Sequence, residues 1–540
     1  MNIKRYIYLA SLFIAGTSLT SCEMFNDFLD VVPDNRTELD SEDKILAMLT
    51  SAYPDVTYLT ACEFSSDNVD KLNVTYPVNE RYITELATWN EVTENQNDAP
   101  SFVWQGMYGA IASANQILAA IDELDQDNLS DKIKAAKGEA LMCRAYAHFV
   151  LVNMFCQAYN PDYADTDLGL PYMFKAETTL NPQYERGTLA DFYAYLDADV
   201  ELGLKLISDN IASIPKYHFG IKSANAFAAR FYLFYQQWDK AVECANRVLG
   251  SNPETELRDL AKNKAFGWDN NGMNLYAALD YIDSGQNCNL LLNTGMSQIG
   301  TCFGPFSMYT EYNHGYLLAT TETFFAATAP WGETAEGDIN QHTISQSGSY
   351  DKVFASRVPY LFEYTDEVAQ IGYPRVVTVP FTIEETLLVR AEANVMLENY
   401  NDAISDLNIW IGNYLVAPYT LTEGKVTLWS NRTDYYTIEK PTIKKEFELP
   451  AAPIASGMQE NLMHITAFIR RIETLHTGLR FFDVKRYGYT INRRTLGIRD
   501  TEKNTQGVEE VTDFLSPRDP RYALQVPNDV ISAGFEPNPR

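Results

Sequence analysis

The chain has 540 residues, 46% of them hydrophobic, and a formal net charge of −30. Its length and apolar content support a large buried core, while the acidic excess makes nucleic acid and anionic membrane surfaces poor partners. Apart from Cys22, the cysteines are Cys62, Cys143, Cys156, Cys244, Cys288 and Cys302, and no Cys-x-x-Cys spacing suggests zinc or redox chemistry.

The first residues have the zones of a secretory signal: Lys4-Arg5, an apolar run from about Tyr6 to Ala15, then Leu19-Thr20-Ser21-Cys22. The run is too short to span a bilayer. Leu-Thr-Ser-Cys resembles the bacterial lipobox, in which the cysteine thiol takes a diacylglyceryl group and becomes the mature N-terminus. Residues 1–21 are therefore expected to be a signal peptide and Cys22 the lipidation site, with several acyl chains holding the protein to the membrane. Residues 22–38, polar and interrupted by Pro33, read as a tether, and residues 39–540 as a single domain.

Trp104, Met107, Ile111, Ala114, Leu118, Ile121 and Leu124 fall three and four apart, one stripe of an amphipathic helix. Ile133, Ala136, Ala140, Cys143, Ala147, Leu151 and Met154 repeat the pattern, and Asn160-Pro161 is the expected stop. Residues 188–207 and 221–250 give further helices. Ala229, Tyr232, Ala241 and Pro253 stand at the spacings of a tetratricopeptide unit, whose small residues let two helices cross closely. A weaker copy has Ala391 and Ala403, with Leu415 in the place of the closing proline. The expected fold is mostly α, a helical-repeat scaffold.

Residues 254–380 break this pattern, being rich in Gly, Asn, Thr, Tyr and Phe with turns such as Gly267-Trp268-Asp269-Asn270-Asn271-Gly272. So long an irregular insertion is usually functional or disordered, and its aromatic content opposes disorder. A second irregular stretch, 416–456, precedes an expected last helix near 457–476.

Several blocks in order resemble the SusD/RagB family of Bacteroidetes outer-membrane lipoproteins. They are the lipobox followed by Phe28-Leu29-Asp30 and Pro33; Trp104-Gln105-Gly106-Met107-Tyr108 running to Ala114-Asn115-Gln116-Ile117-Leu118; Gly138-Glu139-Ala140 with Arg144-Ala145-Tyr146; Gly169-Leu170-Pro171; Ala391-Glu392-Ala393; and Gly478-Leu479-Arg480-Phe481-Phe482-Asp483-Val484-Lys485-Arg486-Tyr487-Gly488. Phe482 and Tyr487 stand where other members often carry Trp. The resemblance implies four tetratricopeptide-like helical pairs as a base, a loop-rich ligand-binding part laid over it, and a SusC-like TonB-dependent barrel as partner. It also implies glycan capture at the outer membrane, with peptide or glycopeptide capture of the RagB type as the alternative.

Nothing in the sequence marks a catalyst. There is no Gly-x-Ser-x-Gly, His-Glu-x-x-His or Gly-x-x-x-x-Gly-Lys, and the six histidines lack metal-ligand spacing. No cofactor and no enzymatic activity are expected; a glycoside hydrolase, needing two carboxylates about 5–9 Å apart, is the minor alternative. Asp162, Asp165, Asp167 and Gly169 sketch a calcium loop but read better as a solvated turn. A Cys288–Cys302 disulfide stays open in an exported chain.

Sugar recognition needs rings for the C–H faces and polar groups for the hydroxyls. Trp104, Trp238 and Trp410 lie in helical patterns and read as core. Trp89 with Asn90, Trp268 with Asp269 and Asn270, and Trp331 lie beside polar or turn residues and are the candidate ligand-binding set, ahead of Trp429. The charged Gly478–Gly488 block reads as structure, its aromatics and ion pairs locking the last helix.

Overall fold

The three-and-four spacing of the first half forms helices. The computed structural model describes residue 39 and residues 41–540, apart from 74–79, 178, 180–181, 212–213, 215, 268–275, 305–309, 347–350 and 501–505. Within it Glu42–Arg540 makes one compact unit. The signal, Cys22 and the tether to residue 38 lie outside the described residues, as do Trp268, Asp269 and Asn270.

Helix α1 (Pro100–Asp122) opens with proline in its first turn, where the missing N–H costs no hydrogen bond, and buries Trp104, Met107, Ile111, Ala114, Leu118 and Ile121. Helix α2 (Asp131–Phe155) starts where Ser130 Oγ accepts the Ile133 N–H at 3.2 Å. It stops at Phe155, short of Asn160-Pro161; Asn160 instead accepts the Asp162 N–H and shapes the turn that follows. From Gly138 onward α2 is buried on every side, the central rod of the stack. A Cβ on Gly138 would run into the backbone of Leu206 and Ile207, so glycine lets α2 meet the end of α3 (Leu189–Leu206).

Helices α4 (Ile221–Phe234) and α5 (Trp238–Leu249) form the pair read from the repeat spacing, with Ala229 and Ala241 fully buried and Tyr232 and Pro253 packed around them. Trp238, expected in the core, is half-buried. Helices α6 (Ile383–Met396) and α7 (Tyr400–Tyr414) form the second pair, bringing in Ala391 and Ala403 without exposure. Helix α5 packs directly on α6, and α8 (Met458–Glu473) covers α6 and α7, so the helical base is continuous although the insertion separates its halves in sequence.

The insertion is more regular than expected. It contributes strands β2 (Asn289–Met296), β3 (Tyr312–Asn313), β4 (Thr343–Gln346), β5 (Lys352–Ala355), β6 (Leu361–Asp366) and β7 (Ile371–Thr382); β1 (Asp70–Lys71) precedes it, and β8 (Ile491–Leu496) and β9 (Val508–Leu515) follow α8. One antiparallel sheet runs β2-β7-β6 and a hairpin pairs β4 with β5. A four-stranded sheet, β3-β1-β8-β9, is parallel only between β1 and β8 and ties the early segment, the insertion and the C-terminal region together. The stretch 416–456 likewise contains a helix, Glu423–Arg432, capped by Thr422.

Candidate ligand-binding clefts

The last sequence block forms one short, buried helix. Helix α9 (Leu479–Tyr487) lies between Gly478 and Gly488, both left-handed, and all its residues except Arg486 are buried. Its charges are paired: Asp483 accepts from Arg470 Nε of α8 (2.9 Å) and Arg486 Nε (2.8 Å), and Arg486 Nη2 reaches Glu392 of α6 at 2.9 Å. Burial alone would push the Asp483 carboxyl up, but Arg470 and Arg486 outweigh it and hold it below the usual carboxylate range. Lys485 Nζ donates to the carbonyls of Asn153 and Cys156 at the end of α2, and burial pushes its pKa down to about 8. These side chains all point into the protein and brace α9 against α2, α6 and α8.

Two of the expected aromatic contacts also make packing contacts within the protein. Trp89 sits at φ +55°, only 5% exposed; its ring N–H donates to Ser65 O at 2.8 Å and the Arg493 guanidinium covers the ring at 4.8 Å. The ring thus packs under Arg493 and also contributes to the wall of the small cleft beside Asn90. Trp331 is half-buried among Trp410, Tyr414, Tyr419 and Phe468, with ring centroids 5.6–6.5 Å away, and fastens the insertion to α7 and α8. Trp429 is buried, its N–H donating to Thr328 O at 2.7 Å. Asn90 is exposed and, with Trp89, lines a small cleft together with Asn95, Ser101, Arg521, Asn528 and Arg540.

Next to that cleft, on the outer side of α1, lies a larger one of about 430 Å³, within the range of small-molecule sites. Trp104, Tyr108, Tyr184 and Phe535 supply its rings, and Lys175, Glu177 and Asp529 its charged groups. Trp104 lies 4.9 Å from Tyr108 and 6.0 Å from Phe535, so three rings form a continuous wall. Hydrogen bonds set their positions: Tyr108 Oη donates to Pro171 O (3.3 Å), Tyr184 Oη to Glu177, and Gln183 Nε2 to Ala533 O (3.1 Å). Tyr184 is 38% exposed, while Trp104 is 7% exposed. The first turns of α1 and the short helix Asn528–Ser532 wall both clefts, which places Asn90 and Arg540 beside the aromatic surface. Tyr184 and Phe535 were not singled out in the sequence, since each gains meaning only beside a helix far away in the chain.

The cysteines from Cys62 onward and most of the histidines lie in the packed interior. Cys288 and Cys302 are both buried free thiols, so the disulfide left open above is not formed. His148, His314, His464 and His476 are buried in packed surroundings, and His218 bonds Glu139 at 2.7 Å. Among the described residues no group of three or more His, Cys, Asp or Glu is arranged to hold a metal, and Asp167 of the sketched calcium loop pairs with Arg518 at 2.7 Å. No described helix is long and apolar enough to cross a membrane.

Residues 27–233 match a SusD-like family described as starch-binding and associating with the outer membrane. No curated protein sequence matches. Among solved structures, a SusD superfamily protein from Bacteroides vulgatus ATCC 8482 is 17% identical with a TM-score of 0.61, over 92% of this chain and 98% of that one. Another, from Bacteroides thetaiotaomicron VPI-5482, is 17% identical with a TM-score of 0.59, over 93% and 100%. A SusD-like carbohydrate binding protein from Bacteroides vulgatus is 16% identical with a TM-score of 0.54, over 91% and 95%. Residues 27–233 are thus similar to the SusD-like family, and the chain shares the fold of these SusD superfamily structures along nearly its whole length.

Proposed function

We propose that this protein is a glycan-binding lipoprotein of the outer-membrane surface. Residues 1–21 direct export, Cys22 carries the lipid, residues 22–38 tether the domain, and residues 39–540 hold an oligosaccharide for import through a SusC-like TonB-dependent barrel without breaking its bonds. The observation that carries the reading is the aromatic cleft along α1, with rings and charged groups side by side on a SusD-type fold. Rings can pack on the C–H faces of a sugar while the polar rim binds hydroxyls. Asn90 belongs to the same surface, and Trp268, Asp269 and Asn270 are proposed as further contacts from the insertion.

The test is to incubate the purified protein with glycan and peptide mixtures and to analyse both bound material and supernatant. Retained, unshortened oligosaccharide is expected. Retained peptide would favour the RagB-type alternative, and shortened products would make the protein a hydrolase. With the retained glycan, Tyr184→Ala should weaken binding up to about tenfold, the equivalent of one aromatic contact, with little change in melting temperature. Unchanged affinity in Tyr184→Ala and Tyr108→Ala would move the site off this cleft.

A further inference from the structure

One exposed aromatic surface lies outside the α1 cleft yet shares its framework. Phe174 stands between Met173 and Lys175, which both line the cleft, while its own ring is no part of that wall and is 49% exposed. Tyr195 of α3, 44% exposed, meets it with ring centroids 5.1 Å apart and planes at 84°, so the two rings make a corner. Tyr195, Ala198 and Leu202 fall three and four apart along α3 and are all exposed, although the buried stripe of Phe192, Leu196 and Val200 already faces the protein. An amphipathic surface helix ordinarily gives that outer face to polar residues.

The two rings are held in place from beneath. Buried Tyr172 lies with its ring centroid 5.0 Å from Phe174 and 5.8 Å from Tyr195, and its hydroxyl donates to Asp199. Arg144 of α2 clasps Asp199 (2.7 and 2.6 Å), donates to Asn115 Oδ1 (2.8 Å) and lies 5.6 Å from the centre of the Phe174 ring. Asn115 donates in turn to Met173 O (2.9 Å), and the Met173 N–H goes to His148 Nε2 (3.1 Å). One network therefore fixes the cleft wall at Asn115 and Met173 together with the exposed rings, and a ligand that meets a preorganised surface loses little in ordering it.

Single apolar side chains are ordinary on a protein surface, but two touching rings on an apolar strip mark a contact site. Four residues fall far short of the roughly 20–30 a side that a stable protein interface takes. They suffice for a sugar unit, whose C–H face packs on an aromatic ring. Among the described residues Lys175 Nζ and Tyr195 Oη make no hydrogen bond, which leaves polar groups for sugar hydroxyls. Building on the glycan function proposed for the α1 cleft, we infer that Phe174 and Tyr195 form a second sugar subsite. The ligand is then a chain of several units that reaches from the cleft across residues 173–175 to these rings, rather than a mono- or disaccharide.

The test takes the glycan retained by the full domain, cuts it by partial acid hydrolysis into a ladder of lengths, and measures the affinity of each length by calorimetry. Native protein should bind long chains more tightly than fragments of one or two units. Phe174→Ala and Tyr195→Ala should each weaken long chains by up to about tenfold, while short fragments bind as before and the melting temperature stays unchanged. Alanine at 195 suits the helix, so that variant should fold whatever Phe174→Ala does. Equal native affinity for all lengths, or both variants binding long chains as the native protein does, overturns the subsite. The cleft itself still stands in that case if Tyr184→Ala weakens every length, whereas retention of no glycan at all refutes the glycan function and the subsite with it. Variants that bind long chains normally but no longer copurify with a TonB-dependent barrel would give this surface to that partner and overturn the inference equally.

Discussion

His148 should make the protein lose stability on mild acidification, and the structure says by how much. The ring is fully buried in α2 and stacked on Tyr172 with centroids 3.8 Å apart. Nε2 accepts the Met173 N–H at 3.1 Å, so it cannot carry a proton; Nδ1 therefore holds the single ring proton and donates it to Arg144 O at 2.9 Å. Protonating Nε2 would set two donors against each other in a fully buried site. Burial foremost, with the Arg144 charge adding to it, lowers the pKa to about 3, against about 6.5 in the unfolded chain. Because the unfolded state then binds the extra proton more readily, stability falls as pH drops below about 6.5 and continues to fall until about 3. Going from pH 7 to pH 5 costs about 2 kcal/mol at this residue. Buried Asp98 works in the opposite sense: burial raises its pKa to about 6, so it favours the folded state at low pH and loses that contribution as pH rises through 6. Comparing native protein with His148→Gln cancels Asp98 and isolates the histidine. Urea unfolding followed by circular dichroism should show the native advantage over His148→Gln shrinking by about 2 kcal/mol between pH 7 and pH 5. An equal advantage at both pH values would mean that His148 titrates normally and that its assigned hydrogen bonds do not hold.

Gly488→Ala should be unusually damaging, because the residue is left-handed at φ +61° and a Cβ would overlap the carbonyl of Leu449; a loss beyond the ~1–2 kcal/mol of the backbone conformation alone is expected, read as a fall in melting temperature or failure to fold. Asp483→Asn leaves Arg470 and Arg486 without their shared charge partner and should destabilise by about 3–5 kcal/mol in chemical unfolding; a change under about 1 kcal/mol would show that the pair network is not strained by its loss. Cys22→Ala should yield a folded protein that takes no lipid label and is washed from membranes by high salt, and unchanged retention would refute the lipobox reading.

Much of the helical base was legible because one face of each helix must meet another: Met107, Ile111 and Leu118 announce α1, and Ala229 and Ala241 mark where α4 and α5 touch. The strands were harder to see for physical reasons. Strand β7 is central in its sheet yet contains Pro374 and Pro380, residues that lack the ladder donor and normally argue against a strand there. Strand β8 reads Ile-Asn-Arg-Arg-Thr-Leu, which looks solvated; Arg493 and Arg494 are buried only because backbone carbonyls and Asp70, more than 400 residues earlier, receive them. The same reason separates the clefts from the sequence. Trp89 and Trp331 stand out by their polar neighbours, but how much of a ring stays open is set by what folds beside it, here Arg493 at Trp89 and Phe468 at Trp331. Tyr184 and Phe535, which do line an open cleft, stand in loops with no periodic pattern to distinguish them.

The direct packing of α5 on α6 has an evolutionary consequence. The chain leaves the base after Leu249 and re-enters at Ile383, at neighbouring positions, so the roughly 130-residue excursion hangs from a closed doorway and carries no base helix with it. Loop-closure entropy grows only as the logarithm of length, about 0.6 kcal/mol for each doubling. Lineages can therefore lengthen, shorten or replace the excursion at little thermodynamic expense, provided the Tyr414 and Trp410 surface still finds an anchor such as Trp331. Such an arrangement lets the excursion diverge quickly while the helices beneath change slowly.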